Sequence, residues 1–129
     1  MFELPSAQLL SAASLAYLGD AVLELMTRQH LLKSGVSHVG KLNAMALSYV
    51  RATAQSAAVD RILPYLSEEE TAIYKRGRNA HGIAIPKSAS ASQYRRATGF
   101  EALFGYLYVE GREERMRELF RIGYELTEV

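Results

Sequence analysis

The sequence predicts an all-α fold arranged as a helical bundle. Apolar residues recur at steps of three and four through most of the chain. No segment alternates apolar and polar residues as a half-buried strand does. Pro5, Pro64 and Pro86, the three prolines, fall between the periodic segments. With 129 residues, nearly half of them apolar, residues 1–129 suit a single domain able to bury a core.

A first helix is expected between Pro5 and Gly35, with Ser6 as N-cap and Gly35 as stop. Leu9, Leu10, Ala13, Ala16, Tyr17, Ala21 and Leu25 follow helical steps along it. A second spans about residues 39–62, with Leu42, Met45, Ala46, Tyr49, Val50 and Thr53 on one side and Pro64 just beyond. Ser67, followed by Glu68, Glu69 and Glu70, starts a third, because a cap and acids complement unpaired N–H groups at a helix N-terminus. It reaches the region 76–79.

Residues 77–92 hold two glycines, a proline and interspersed serines, the composition of a flexible loop. Loops of this length inside a compact domain tend to be functional or disordered. A fourth helix follows from about residue 92, turning Phe100, Leu103, Phe104, Leu107 and Tyr108 inward, and Gly111 breaks it. A last helix over about 112–126 places Met116, Leu119, Phe120 and Tyr124 inside and alternates Glu and Arg outside.

The chain has no cysteine, which excludes disulfides and thiolate metal sites and fits a reducing compartment. Neither a secretory leader nor an apolar run of about 20 residues is evident, so a soluble, cytoplasmic protein is expected. The net charge of +1 conceals an asymmetry. Lys75, Arg76, Arg78, Lys87, Arg95 and Arg96 form a segment without a single acid, leaving 9 basic against 14 acidic residues elsewhere. Charge concentrated in this way points to an anionic partner, the alternative being a solvated loop.

Two acids lie where acids are expensive. Asp20 and Glu101 each sit in the middle of a strongly apolar helix and need compensation by a cation, a metal or good hydrogen bonds. Small residues accompany both: Ala16, Gly19 and Ala21 around the first, Ala102 and Gly105 around the second. Mid-helix glycine costs about 1 kcal/mol relative to alanine, so Gly19 and Gly105 imply close approach of another helix or a ligand. Carboxylates converging from two helices can hold a hard cation such as Mg2+. Pairing with an arginine such as Arg28 or Arg51 is the structural alternative.

The strings themselves are more specific. Leu18-Gly-Asp-Ala-Val-Leu-Glu-Leu resembles the signature helix of the ribonuclease III endonuclease domain, and Phe100-Glu-Ala-Leu-Phe-Gly-Tyr-Leu-Tyr-Val-Glu resembles that family's second acidic helix. Their order and separation fit, and the resemblance spans most of the chain. Lys75-Arg-Gly-Arg-Asn-Ala and Tyr94-Arg-Arg-Ala-Thr-Gly-Phe-Glu-Ala-Leu are similar to the short Mini-ribonuclease III branch, which lacks a double-stranded RNA-binding domain. The larger enzymes carry two further acids, one turn before each of these; Ala16 and Thr98 stand there instead, as in the short branch.

The resemblance implies a homodimeric, Mg2+-dependent endoribonuclease, with Mn2+ as an alternative metal, acting on double-stranded RNA. The implied substrate is the precursor of large-subunit (23S) ribosomal RNA, a ribosomal protein on that substrate being a further partner. Asp20 and Glu101 would be catalytic and metal-holding, and the reduced acid set implies weak binding of a hydrated ion. Lys75, Arg76, Arg78, Asn79, Lys87, Arg95 and Arg96 would contact RNA, with Gln93 also in reach of its hydroxyls. Tyr17 and Leu18 would lie in the dimer interface, Tyr17 matching the aromatic that inserts into the partner. Glu24, one turn after Asp20, is read as structural, and His30, His38 and His81 as surface or loop residues. Two alternatives remain open: a catalytically silent relative that binds structured RNA, and a helical-bundle dimer for protein interaction whose basic loop docks an acidic partner.

Overall fold

The computed structural model describes residues 3–81, 84–87 and 90–127 and places six α-helices along them, with no strand among the described residues. The helices are α1 (Ala12–Leu32), α2 (Val39–Val50), α3 (Ala52–Ile62), α4 (Glu68–Arg78), α5 (Ala91–Val109) and α6 (Glu113–Gly123). None is long and apolar enough to cross a membrane.

α5 is the axis of the bundle. Ten of its residues, from Ala97 to Leu107, are buried, and α1, α3, α4 and α6 all pack against it. Phe100, Leu103, Phe104 and Leu107 are fully enclosed as expected, each removing enough apolar surface from water to stabilise the fold by about 1.5–3 kcal/mol. Tyr108 departs from expectation and is 40% exposed. It lies where α5 emerges from the bundle, beside Leu25 and Leu32 of α1 at an open groove.

α1 crosses α5 with backbone against backbone. A methyl group on Gly19 would fall on the Glu101 carbonyl oxygen, and one on Gly105 would fall on the Leu15 carbonyl oxygen. Gly77 of α4 and Gly99 of α5 make a second close crossing, where added carbons would meet Ala102 Cβ at 2.5 Å and the Tyr74 carbonyl oxygen at 2.7 Å. Of the two explanations for the mid-helix glycines, helix–helix approach is the one realised.

Several boundaries differ from the sequence reading. The first helix is capped by Ser11, whose side chain accepts from the Ser14 N–H, while Ser6 precedes a short 3-10 turn at Ala7–Leu9. The expected second helix is two. Arg51 adopts an extended conformation (φ −65°, ψ 148°), and this one residue lets the chain leave α1, on which α2 packs, for α5 and α6, on which α3 packs. No proline or glycine marks the break, so local sequence does not announce it. α4 ends at Arg78 and α5 begins after Ser90, which shortens the expected loop; its residues 82, 83, 88 and 89 lie outside the described residues. The last helix stops at Gly123, and Glu125 follows with φ 55°.

Of the stripe read along the first helix, Ala16 reaches the core and Leu10 packs against it, while Ala13, Tyr17, Ala21 and Leu25 are exposed. Leu15, Ala16, Gly19, Val22, Leu23, Thr27 and Leu31 form the buried face. Tyr17 (85% exposed), Leu25 (56%) and, further on, Leu32 (61%) face outward. α1 is thus apolar on two sides, and only one of them is covered within the chain.

Glu70 shows how the fold treats a buried acid it must keep. Its side chain is 1% exposed. It accepts from the Ser67 N–H (2.9 Å) in a capping box and from Arg115 Nε (2.8 Å) and Nη2 (2.7 Å), tying α4 to α6. The Arg115 guanidinium holds the Glu70 carboxyl below its usual range despite burial.

The α1–α5 crossing generates a sharp expectation. Gly105→Ala should lower unfolding free energy by about 3 kcal/mol or more in denaturant titrations, although alanine gains roughly 1 kcal/mol in helix propensity. An unchanged or raised stability would show that the two backbones are not in contact.

Candidate active site

The crossing that requires glycine also sets the acids. Asp20 follows Gly19 directly, and Glu101 supplies the carbonyl against which Gly19 rests, so one carboxylate from each helix meets at the same edge of the bundle. Asp20 is exposed and Glu101 half-buried. They lie close enough to share a hydrogen bond when one is protonated. Burial, and secondarily the Asp20 carboxylate, push the Glu101 carboxyl up to about 8.

Among the described residues neither acid has a cationic partner. Arg28 pairs with Glu24 (3.0 Å) instead, and Arg51 joins no ion pair. The structural alternative raised from the sequence is therefore not the one found. Nor is there, among the described residues, a cluster of three or more His, Asp or Glu side chains able to hold an ion. Ala16 and Thr98, about one turn before Asp20 and Glu101, are buried, and the Thr98 hydroxyl donates to the Tyr94 carbonyl (3.0 Å). The donor set is two carboxylates, oxygen-only, uncompensated by any cation. That chemistry suits a hard divalent ion which keeps much of its own water.

A cleft between α4 and α5 brings part of the basic segment together. Arg78, Tyr94, Arg95 and Thr98 line it, together with Ile85 from the connecting segment. Thr98, which lines this cleft, lies about one turn before Glu101 along α5. Arg78 lies over the Tyr74 ring at 5.7 Å and donates through Nε to the Asn79 side-chain oxygen (3.1 Å). Lys75, Arg76, Asn79, Lys87 and Arg95 are exposed. Arg96 is employed differently: it donates to the Ser56 hydroxyl (3.0 Å) and carbonyl (3.2 Å) and pairs with Asp60, bracing α5 against α3. Sequence places Arg95 and Arg96 side by side, and only the turn of about 100° between successive residues of a helix separates the exposed Arg95, without an ion-pair partner among the described residues, from the strut.

Tyr17 is exposed and Leu18 half-buried. His38 caps α2 by accepting from the Lys41 N–H (3.2 Å), and His81 is exposed. His30 corrects the sequence reading: it is half-buried, its ring 5.8 Å from Tyr49 and 6.4 Å from Phe120, because α2 and α6 close over this side of α1. The Glu24–Arg28 pair beside Asp20 went unread as a unit, although its four-residue spacing was visible.

The raised carboxyl of Glu101 has a stability consequence whose sign is fixed. Its neutral form is favoured in the folded chain, so its contribution is full below the unfolded value of 4.5 and is lost as pH rises towards about 8. In EDTA, thermal stability should therefore fall across this window more in the native chain than in Glu101→Gln. The variant should be the more stable of the two at pH 8 and above, and a native advantage there would contradict the assignment.

Residues 13–112 match the Ribonuclease III domain family. The chain is similar to the Mini-ribonuclease 3 of Symbiobacterium thermophilum, at 46% identity over 89% of this chain and 88% of that protein. It is similar to that of Desulfitobacterium hafniense at 50% identity, over 84% of this chain and 69% of that protein. Among solved structures it resembles protein FN1578 from Fusobacterium nucleatum, with a TM-score of 0.83 and 31% identity, covering 92% of this chain and 91% of that one. A match over most of the length, on an all-helical bundle with the two acidic helices crossed, means that this chain belongs to the ribonuclease III family, in its Mini-ribonuclease 3 group.

Proposed function

We propose that the chain is a divalent-metal-dependent endoribonuclease that hydrolyses phosphodiesters in double-stranded RNA and works as a homodimer. The observation that carries this reading is the convergence of Asp20 and Glu101 from crossed helices with, among the described residues, no cationic partner for either. A protein that only bound RNA would have no use for two acids held together beside its basic cleft. Membership of the ribonuclease III family, with Mini-ribonuclease 3 relatives, supports the same activity.

Asp20 and Glu101 would hold the ion, Mg2+ or Mn2+. When bound, such an ion lowers the pKa of a water on it and neutralises charge at phosphorus and the leaving oxygen. Glu101, kept neutral by its surroundings near pH 7, must release its proton before it can serve as a ligand. Two protein carboxylates by themselves would hold such an ion weakly.

A-form duplex RNA is recognised through shape, phosphates and 2′-hydroxyls. Arg78 and Arg95, which line the cleft between α4 and α5, would contact phosphates. Lys75, Arg76 and Lys87 extend the basic surface, with Asn79 in reach of a hydroxyl. Arg96 contributes by keeping α5 fixed on α3. The 23S ribosomal RNA precursor is the substrate that family resemblance implies, in the cytoplasm, with a ribosomal protein as helper.

One acid pair cuts one strand, so a duplex break needs two copies. The outward face of α1, with Tyr17, Leu25 and Leu32 exposed, offers the apolar surface for a second copy, and Leu18 sits at its border.

Incubated with Mg2+, the native chain should cut a generic RNA duplex and lose that activity in EDTA. Asp20→Asn and Glu101→Gln should each reduce cleavage by at least about 100-fold. Cleavage that survives EDTA or either substitution would overturn the two-acid site, and salt-sensitive binding without cleavage would favour a silent RNA-binding relative. Tyr17→Glu should sediment as a monomer with unchanged helical content and lose duplex cutting, since the side chain contributes little to the fold of one copy. A dimeric variant would place the interface elsewhere.

A further inference from the structure

Tyr94 is an aromatic residue that the core does not use. It is half-buried on α5, and it is not among the side chains packed against the hydrophobic core. It lines the cleft between α4 and α5 instead, together with Arg78, Ile85, Arg95 and Thr98. Its N–H donates to the Ser90 carbonyl (2.9 Å) and its carbonyl accepts from the Thr98 hydroxyl (3.0 Å), while its own hydroxyl joins no hydrogen bond among the described residues. The Thr98 hydroxyl, having donated its proton, retains only the capacity to accept. Neither Arg78 nor Arg95 has an acid partner among the described residues.

The cleft has a volume of about 30 Å³, room for one water-sized group and too little for a base or a whole phosphate. The group that suits it is a hydroxyl, which can both donate and accept beside Tyr94 and Thr98. Duplex RNA presents such groups and duplex DNA does not. The 2′-hydroxyls line its wide minor groove, each beside the phosphate that joins its nucleotide to the next. A hydroxyl-sized recess with two arginines in its lining matches that arrangement: the hydroxyl enters, and the phosphate stays at the rim on a guanidinium.

Resting on the double-stranded RNA reading above, we propose that Tyr94 is a specificity-determining residue whose hydroxyl takes one 2′-hydroxyl of the duplex in the α4–α5 cleft, with the Thr98 oxygen as a further acceptor. Arg78 and Arg95 hold phosphates whatever the sugar, and the Tyr94 hydroxyl supplies preference for RNA. Tyr94 stands about 10 Å before Glu101 along α5. One helix thus carries both the sugar contact and an acid of the cleavage site.

The test is a double-mutant cycle between the protein hydroxyl and the RNA hydroxyl. The chain is titrated, in EDTA, into a fluorescently labelled RNA duplex and into the same duplex with 2′-fluoro sugars, which stays A-form but cannot donate. Tyr94→Phe keeps the ring and removes the hydroxyl. It should weaken binding of the 2′-hydroxyl duplex about five-fold, the effect of one hydrogen bond, and leave the 2′-fluoro duplex unaffected. Equal weakening of both would mean that the hydroxyl meets a phosphate or supports the fold. No change with either would mean that it meets nothing, and each of these results overturns the proposal. Arg95→Gln should weaken both duplexes alike and reduce the salt slope by about one. A loss confined to the 2′-hydroxyl duplex would give the sugar contact to Arg95 and overturn the assignment to Tyr94. Cleavage of the unmodified duplex by the native chain with Mg2+ is measured alongside. A flat cycle with cleavage intact strikes the Tyr94 assignment alone, whereas absence of both binding and cleavage strikes the nuclease reading beneath it.

Discussion

The backbone contact between α1 and α5 is the constraint on which the rest of the molecule depends. Side chains ordinarily keep helix axes about 8–10 Å apart. Here Gly19 meets the Glu101 carbonyl and Gly105 the Leu15 carbonyl, with nothing between them. Residues at such a crossing are located by the backbone itself and not by rotamers that could relax. Placing Asp20 next to Gly19, and Glu101 four residues before Gly105, converts that rigidity into a fixed separation of two carboxylates. The same closeness buries Glu101 beside the Asp20 carboxylate, and burial first and that charge second push its carboxyl up.

Two partly or wholly buried acids in this small fold are handled in opposite ways. Glu70 receives an arginine, a capping N–H and a well-defined geometry, and its charge is stabilised. Glu101 receives another carboxylate as neighbour and no cation among the described residues. A fold selected for stability alone would give both the first treatment, because an uncompensated buried charge is strongly unfavourable. The conflict at Glu101 is local, sits at the α1–α5 backbone contact, and marks a place where stability yields to chemistry.

The arginines divide along similar lines. Arg115 ties α6 to α4, Arg96 ties α5 to α3, and Arg61 donates to the Gly123 carbonyl (2.7 Å) at the end of α6. These braces surround α5 and hold its acid-bearing stretch in place. Arg78 and Arg95 are left at the cleft beside it. The basic segment is therefore partly scaffold and partly surface.

The helical class, the heavily buried character of the Phe100–Leu107 stretch, the cap at Ser67 and the singular status of Asp20 and Glu101 were legible in the sequence, because each depends on periodicity, on capping chemistry within one turn, or on polarity against its own neighbours. Even the need for Gly19 and Gly105 could be read as steric, though not what would press against them. Three matters were decided only by the tertiary structure. The break at Arg51 exists because α2 and α3 have different partners, and partners are non-local. Which face of α1 is buried could not be read from a helix apolar on two sides, since the choice is made by α5 and its glycines. Whether an arginine is a brace or a free cation, as between Arg96 and Arg95, depends on what stands opposite it, here Asp60 and Ser56 some forty residues away. Sequence determines what each residue is able to do next to its neighbours in the chain; long-range packing determines which of those abilities meet.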